Sequence, residues 1–247
     1  MNHLHNKVAI ITGASSGIGA ATAIRLASNG ARLMLVARNE EKLEVLVSKI
    51  VASGGEATYY VADVSDAAAT QSAVSEADKR LGPVDILVNN AGLMLFSYWK
   101  DVAMEDWNKM IETNLKGYLH GIAAVLPGML ERSSGKILNM SSVAGIHVGD
   151  AAGVYGATKF FIRGITESLR NEVGVKNGIQ VSMISPGVID TGWASRVSNP
   201  EGKKLAGELN KGAVAPEVIA DAVVFALDKP AEVSVSDVVV HPTKQAW

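Results

Sequence analysis

The sequence predicts a doubly wound α/β domain in which helices flank a seven-stranded parallel sheet. Two observations carry this prediction. Short apolar runs rich in β-branched residues alternate with longer segments of helical spacing along the whole chain, an order typical of consecutive βαβ units. Hydrophobic residues make up 48% of the chain and charged residues 19%, which fits parallel strands buried on both faces. The length of 247 residues suits one large domain.

The individual elements follow from local composition and spacing. Seven short β-branched or apolar segments have the character of strands: 7–12, 31–37, 57–62, 84–90, 135–142, 179–185 and 236–242. Between them, six segments place apolar residues at helical spacing: 18–29, 40–53, 66–81, 105–130, 153–176 and 215–227. Glycine, proline, serine and asparagine cluster over 191–213 without a clear period. We expect one domain over 1–247, with a short lid at about 191–213 that covers a ligand.

The composition excludes several classes of protein. No apolar stretch reaches the roughly 18 residues that a membrane span requires, and the N-terminal segment lacks a long apolar run with a small-residue cleavage site. We therefore expect a cytoplasmic protein without membrane contact. With no cysteine, disulfides, thiolate zinc sites and cysteine nucleophiles are excluded. His3 and His5 have no metal-ligand cluster around them, so no metal is expected, and a net charge of −2 gives no basic surface for nucleic acid.

The first predicted strand runs into a glycine-rich turn, "TGASSGIG" at residues 12–19. Glycines at 13, 17 and 19 allow a sharp turn and let a pyrophosphate approach the free N–H groups that begin the next helix. Three residues separate the first two glycines, so a strict G-x-G-x-x-G is absent. The turn predicts a dinucleotide site, although on this motif alone a tight βα turn without a ligand remains the alternative.

The end of the second predicted strand bears on the choice of dinucleotide. An acidic side chain here, some twenty residues past the glycine turn, would accept hydrogen bonds from the adenosine ribose. The chain instead has Ala37 followed by Arg38. Without a carboxylate there is no repulsion against a 2′-phosphate, and a guanidinium can bind that phosphate. This favours NADP(H), the alternative being that Arg38 is a solvated loop residue.

The stretch "YGATK" at residues 155–159 places a phenol and an ammonium on one face of a predicted helix. Residues four apart lie one turn above each other, so the charge of Lys159 could sit close to the hydroxyl of Tyr155. The ordinary pKa of tyrosine is about 10, and a nearby positive charge would favour the phenolate. On its own the pair says little, because this spacing also arises by chance, and it gains a function only if the rest of the chain supplies a site for an acidified tyrosine.

Four motifs together resemble one family. "TGASSGIG", "NNAG" (89–92), "YGATK" and "SPGVIDT" (185–191), in this order and at these intervals, are similar to those of the short-chain dehydrogenase/reductase family in its form of about 250 residues, over nearly the whole chain. The resemblance implies a Rossmann-type NADP(H)-dependent oxidoreductase that interconverts a carbonyl and a primary or secondary alcohol by hydride transfer. It also implies a homotetramer, with a dimer as the next most favoured assembly.

Transferred residue by residue, the resemblance implies a catalytic set of Asn114, Ser142, Tyr155 and Lys159. The family interval of thirteen residues before the tyrosine selects Ser142 over Ser141, which would point to the opposite face of a strand. Tyr155 would be the general acid and base, Lys159 would also bind the nicotinamide ribose, and Asn114 would hold a water linked to Lys159. The implied cofactor-binding residues are Gly13, Ser15, Ser16, Gly17, Ile18, Gly19, Arg38, Asp63, Val64, Asn90, Ala91, Gly92, Tyr155, Lys159, Pro186, Gly187, Ile189 and Thr191.

Other readings of the function stay open. A protein that binds NADP(H) as a sensor would not need the serine, tyrosine and lysine together. The ending "VSVSDVVVHPTKQAW" departs from the "VDGG" type of 3-ketoacyl carrier-protein reductases, and looks more like the broad-specificity branch that acts on 3-hydroxy acids, serine-like compounds, aldehydes and ketones. Residues 93–96 would form an apolar wall or pack in the core. His147 and Arg196 would touch a substrate or simply belong to loops.

Overall fold

The fold is the doubly wound sheet that the sequence predicts. A computed structural model of the chain describes residues 2–245; residues 1, 246 and 247, the ends of the domain predicted over 1–247, lie outside the described part. Within that part, seven parallel strands form one sheet in the order β3-β2-β1-β4-β5-β6-β7. The strands are β1 Val8–Thr12, β2 Arg32–Ala37, β3 Glu56–Val61, β4 Ile86–Asn89, β5 Lys136–Met140, β6 Gln180–Pro186 and β7 Asp237–Val240.

Helices cover both faces of the sheet. They are α1 Gly17–Ser28, α2 Glu40–Ala52, α3 Ala67–Leu81, α4 Met104–Ile111, α5 Gly117–Arg132, α6 Gly153–Leu169, α7 Val175–Asn177, α8 Pro200–Asn210 and α9 Pro216–Leu227. The helices predicted over 105–130 and 153–176 each contain a π turn, at Glu112–Lys116 and Arg170–Gly174, which the apolar spacing does not reveal. None of the helices in residues 2–245 is long and apolar enough to cross a membrane.

Alternating strand residues build two hydrophobic layers, one on each face of the sheet. On one face, side chains of the central strands pack with α1, α2 and α9; they include Ile11, Leu33, Leu35, Leu26, Leu43 and Ile219. On the other face, strand side chains pack with α3 and α5. This layer includes Ile10, Met34, Leu87, Val74, Val125 and Met129. Because both faces are covered, the carboxyl ends of the strands form the exposed edge where a ligand can bind, next to the point at which the strand order reverses between β1 and β4.

The segment predicted as an irregular lid is largely helical. It contains a 3₁₀ turn, Trp193–Arg196, and the helix α8. The Asn199 side chain accepts a hydrogen bond from the backbone N–H of Gly202 at 2.8 Å, and Pro200 occupies the first helical position, both of which favour a helix start. The expectation of an aperiodic segment was wrong, since these starting signals precede a helix with few apolar residues.

Candidate active site

A cavity of about 610 Å³ opens at the carboxyl ends of the strands. It runs from the glycine turn and the end of β2, past β4 and β5, to the segment 186–209. Every predicted site residue lines this cavity except Gly19 and Asn114. The structure therefore brings together residues that are up to 178 positions apart in the sequence, from Gly13 to Thr191.

The glycine turn forms one end of the cavity. Gly13 has φ +65°, a left-handed conformation that favours glycine. A Cβ at Gly19 would overlap the carbonyl oxygen of Gly13 and the side chain of Asn90, so Gly19 allows α1 to pack against the turn rather than facing a ligand. The first turn of α1 has no acidic residue, and Ser16 makes no side-chain bond to it. The N–H groups that begin α1 are thus suited to a phosphate.

The side chain of Asn90 fixes the loop beside this turn. Its Nδ2 donates to the backbone oxygen of Thr12 at 2.9 Å, while the hydroxyl of Thr12 accepts from the backbone N–H groups of Asn90 and Ala91 at 3.0 and 3.1 Å. These bonds tie the end of β4 to the end of β1. Asn90 thus has a structural part in the cavity wall, and its contact with a cofactor stays a prediction.

Arg38 and Asp63 lie together at the same end of the cavity. Nη1 of Arg38 is 3.3 Å from Oδ2 of Asp63, and the Arg38 side chain is 67% exposed. Partial burial raises the pKa of Asp63, but hydrogen bonds from Ser65 and the charge of Arg38 lower it further, so the net shift is downward. Because an exposed ion pair of this kind is weak, a phosphate that bound Arg38 would replace Asp63 at little cost.

Ser141 and Ser142 follow directly after β5 and have different surroundings. The hydroxyl of Ser141 donates to the backbone oxygen of Lys159 at 3.2 Å and so holds α6. The hydroxyl of Ser142 donates to the backbone oxygen of Pro186 at 3.4 Å, accepts from the backbone N–H of Ala144 at 3.1 Å, and lies within hydrogen-bonding reach of the Tyr155 hydroxyl. The structure therefore places Ser142, and not Ser141, beside the tyrosine.

Lys159 is buried beneath two aromatic rings. Its Nζ donates to the backbone oxygen of Met140 at 2.8 Å and lies 5.7 Å from the ring centroid of Tyr155 and 5.5 Å from that of Tyr118. The hydroxyl of Tyr118 donates to the same oxygen at 2.8 Å. Sequence reasoning missed Tyr118, although it follows Asn114 by four residues, a spacing that places both on one side of a helix.

Burial governs the protonation of this pair. Removal from water raises the pKa of Tyr155 to about 12, with the hydrogen bond from Ser142 acting in the opposite direction. Burial lowers the pKa of Lys159 to about 7. In the protein alone, both charged forms lose hydration on burial and this outweighs any attraction between them, while the expected stabilisation of the phenolate by Lys159 and an oxidised cofactor stays a prediction. Near neutral pH, Tyr155 holds its proton.

Asn114 lies in the π turn Glu112–Lys116 and is fully buried. Its Nδ2 donates to the backbone oxygen of Leu93 at 2.8 Å and to the hydroxyl of Thr158 at 3.1 Å, and its Oδ1 accepts from the N–H of Leu93 at 2.8 Å. The side chain thus joins the segment after β4 to α6. It does not line the cavity, and its predicted link through water to Lys159 stays a prediction.

An aromatic cluster closes the other end of the cavity. The ring of Phe96 lies edge-on to those of Tyr155 and Trp193, with centroids 6.5 and 5.4 Å apart. Residues 93–96 all line the cavity, and Leu95 and Phe96 are also buried. This segment therefore forms an apolar wall of the cavity and packs in the core at the same time. His147 is exposed and lines the cavity, as does Arg196. Leu205 of α8 and Gln245 of the C-terminal segment are among the further lining residues that sequence reasoning missed.

The described part of the chain brings together no group of three or more His, Asp or Glu side chains that could hold a metal ion. The donors that line the cavity include backbone N–H groups, hydroxyls, the buried ammonium of Lys159 and the guanidinium groups of Arg38 and Arg196. These donors fit a nucleotide with several phosphates.

Comparison with known proteins identifies the family. The model of the short chain dehydrogenase family matches residues 7–202, and the chain belongs to that family and is an oxidoreductase. An uncharacterized oxidoreductase of Listeria innocua is 42% identical over 246 residues, which is 99% of each chain. These matches confirm the resemblance seen in the motifs.

Two solved structures show the same fold with bound nucleotides. An alcohol dehydrogenase from Thermococcus sibiricus complexed with 5-hydroxy-NADP has a TM-score of 0.86 and 31% identity, covering 97% of this chain and 98% of that one. A short chain dehydrogenase/reductase from Burkholderia phymatum in complex with NAD has a TM-score of 0.88 and 28% identity, covering 97% and 90%. Relatives of this fold thus bind either nucleotide.

Proposed function

We propose that this oxidoreductase uses NADP(H) to interconvert a carbonyl and a primary or secondary alcohol by hydride transfer, with Tyr155 as general acid and base. One observation carries the proposal. Tyr155, Ser142 and Lys159 converge at one end of a cavity whose other end has the glycine turn and Arg38. A dinucleotide that spanned this cavity would bring its nicotinamide to the tyrosine.

Ser142, Tyr155 and Lys159 have different roles in carbonyl reduction. A nicotinamide held in the cavity would supply the hydride to the carbonyl carbon. The hydroxyls of Ser142 and Tyr155 lie within reach of each other, so a carbonyl oxygen placed between them accepts two hydrogen bonds. Tyr155 then gives its proton to that oxygen, and the phenolate that remains is stabilised by Lys159 when its amine is protonated. In the reverse direction Tyr155 takes the proton back from the alcohol.

The preference for NADP(H) is supported by the end of β2. Ala37 offers no carboxylate to a ribose diol, and Arg38 lines the cavity beside the partly exposed carboxylate of Asp63. A charge-assisted pair with a 2′-phosphate contributes on the order of 1.5–3 kcal/mol, so we expect a preference of roughly ten- to a hundredfold for NADPH over NADH. Equal catalytic efficiency with the two cofactors, at one ionic strength, would contradict this part of the proposal.

A decisive test of the chemistry is the substitution Tyr155→Phe. Because the ring is kept and only the proton donor is lost, turnover should fall by more than tenfold while NADPH binding stays nearly unchanged. Turnover is measured as NADPH oxidation with a panel of 3-oxo acids, aldehydes and aryl ketones, and binding by nucleotide fluorescence.

Residual activity above about a tenth of the unmodified enzyme would mean that less than about 1.4 kcal/mol of transition-state stabilisation was lost, too little for a general acid. If the unmodified protein binds NADPH but does not oxidise it with any carbonyl of the panel, the sensor function replaces the proposed one. A reaction confined to carrier-protein-linked 3-oxo substrates would instead identify a 3-ketoacyl carrier-protein reductase.

The assembly and the location complete the proposal. Large apolar side chains are exposed on two separate sets of elements, including Trp99 and Phe160 near α4 and α6, and Phe225 and Val239 on α9 and β7. Two apolar surfaces of this kind allow two different two-fold contacts and hence a closed homotetramer. A cytoplasmic location is proposed together with it, and cell fractionation would test that.

A further inference from the structure

A residue of the C-terminal segment reaches the cavity close to the proposed catalytic residues. Oε1 of Gln245 accepts a hydrogen bond from the backbone N–H of Val188 at 2.8 Å, and Gln245 lines the cavity. A Cβ at Gly187 would overlap this same oxygen and the backbone of His241. The C-terminal segment is thus packed directly on the loop that follows β6.

This loop also contacts the catalytic serine. The backbone oxygen of Pro186 accepts the hydrogen bond from Ser142, and Val188 is two residues further along, which is roughly 7 Å of chain. Gln245 therefore lies within a short distance of the position where a carbonyl oxygen would meet Ser142 and Tyr155. A substrate with a second polar group a few bonds from its reacting carbonyl could reach it.

The hydrogen bond settles which way the Gln245 amide is turned. A backbone N–H can pair only with an acceptor, so the atom that faces Val188 must be Oε1, and Nε2 must lie on the other side of the amide. Within residues 2–245, Nε2 has no hydrogen-bond acceptor. Two donor hydrogens of a cavity-lining side chain are therefore left for a ligand.

We propose that Gln245 is a specificity-determining residue, which binds a second acceptor oxygen of the substrate, such as an ester or ketone oxygen, through its Nε2. The inference rests on the proposed function and names its substrate class: carbonyl compounds with a neutral acceptor oxygen near the reacting carbonyl. A neutral amide donor suits such an oxygen, and the neighbouring wall of Phe96, Trp193 and Leu205 suits the apolar remainder of the molecule.

The test compares two substrates of equal chain length, ethyl 3-oxobutanoate and 2-heptanone. Gln245→Glu keeps an acceptor for Val188 but replaces the donor by an oxygen that repels the ester. The ratio of kcat/KM for the ester to kcat/KM for the ketone should fall at least tenfold, mainly through KM for the ester. Thr243→Glu adds the same charge to an exposed residue of the same segment that does not line the cavity, and should leave the ratio unchanged.

Further measurements distinguish a failure of the role of Gln245 from a failure of the proposed function. Gln245→Met, which lacks both donor and acceptor, should lower the ratio as well, even if Gln245→Glu does not fold. NADPH binding, followed by fluorescence, should be equal in the Gln245→Glu and Thr243→Glu variants. A ratio that is the same in all variants would overturn the role of Gln245 while the enzyme remains active, whereas an unmodified protein that reduces neither these ketones nor the wider panel would overturn the proposed function and this inference with it.

Discussion

Ser141 and Ser142 are neighbours in the chain but hold different parts of the site. Ser142 faces Tyr155, while Ser141 is bonded to the backbone of α6. Adjacent side chains at the end of a strand point in opposite directions. A shift of one residue in the interval to Tyr155 therefore changes which serine would contact a substrate.

Alanine substitutions should separate the two serines. Ser142→Ala removes one of two donors to the carbonyl oxygen, and kcat should fall roughly a hundredfold or more, as for the loss of an oxyanion donor. Ser141→Ala should keep most of the activity but lower the melting temperature by a few degrees, because a buried hydrogen bond of about 1 kcal/mol is lost. Enzyme kinetics and calorimetry of both variants check this. If Ser141→Ala were the inactive variant, the assignment would be reversed.

The buried ammonium should make stability depend on pH. The folded chain releases the Lys159 proton near pH 7 and the unfolded chain near pH 10.4, so the unfolded chain binds more protons between these values. The free energy of unfolding should therefore rise with pH over this range. Lys136, whose pKa burial lowers to about 8, acts in the same direction. Above about pH 10, Tyr155 acts in the opposite direction, since its pKa is raised when folded.

Urea denaturation at pH 7 and pH 9 measures this effect at fixed protein concentration. The increase in unfolding free energy should be on the order of 2 kcal/mol greater for the unmodified protein than for Lys159→Met. An equal increase in both would mean that Lys159 keeps its proton in the folded state.

At the scale of elements, polar contacts attach the start of α8 and the residue before its cap to the segment 100–106. Asn199 donates to Asp101 at 2.9 Å, and Lys100 pairs with Glu201 at 2.8 Å. Ser198 donates to Asp106 at 2.5 Å. These exposed contacts are individually weak, so they add little to the buried packing of Trp193, Val197 and Ala206 against Phe96, and the movement of the segment 191–213 as a lid stays a prediction.

Asn199→Ala should loosen this segment. The change removes both the cap of α8 and the bond to Asp101, which costs about 1 kcal/mol or more. We expect KM for the carbonyl substrate to rise roughly fivefold or more, with NADPH affinity nearly unchanged, and hydrogen exchange of α8 to become faster. Glu208→Gln is the matched control, since the partner of Glu208, Lys211, belongs to the same segment. Equal KM values in both variants would show that the segment does not cover the substrate.

How far the sequence predicts each element depends on the signal that the element carries. Strands such as β1 and β6 are fully buried, and their apolar runs show this directly. The helix α8 has only Leu205, Ala206 and Leu209 as apolar residues within its length, so its periodicity is weak and only its capping signals remain. Gln245 could not be found, because its contact with Val188 joins residues 57 positions apart and no motif marks it.

The protonation of the site could not be predicted either. The spacing of Tyr155 and Lys159 is read from the sequence, but the shifts in their pKa values come from burial, which depends on the packing of α5, α6 and the lid around them. The sequence therefore predicts that Tyr155 and Lys159 lie close together, but their protonation states follow only from the tertiary structure.

For the whole molecule, the exposed apolar residues predict a tetramer with two kinds of contact. Sedimentation at micromolar concentration should show a homotetramer. Phe160→Glu and Phe225→Glu place charges on the two surfaces and should each leave a dimer. Val45→Glu, at an exposed apolar site on α2 outside both surfaces, should leave the tetramer intact. A monomer in the unmodified protein would contradict the proposal.

The sheet order has a consequence for synthesis of the chain. Since each strand from β2 to β7 joins an edge left by the strands already made, none has to be inserted between two paired neighbours, and the sheet can grow in the order of translation. The glycine turn and Arg38 are complete early, but Ser142 receives its contact from Pro186 only after β6 has emerged. We expect a nascent chain to acquire the glycine-turn end of its nucleotide site well before it acquires a reactive centre, so a cofactor that bound there on the ribosome would stabilise a half-built sheet that is not yet able to consume it.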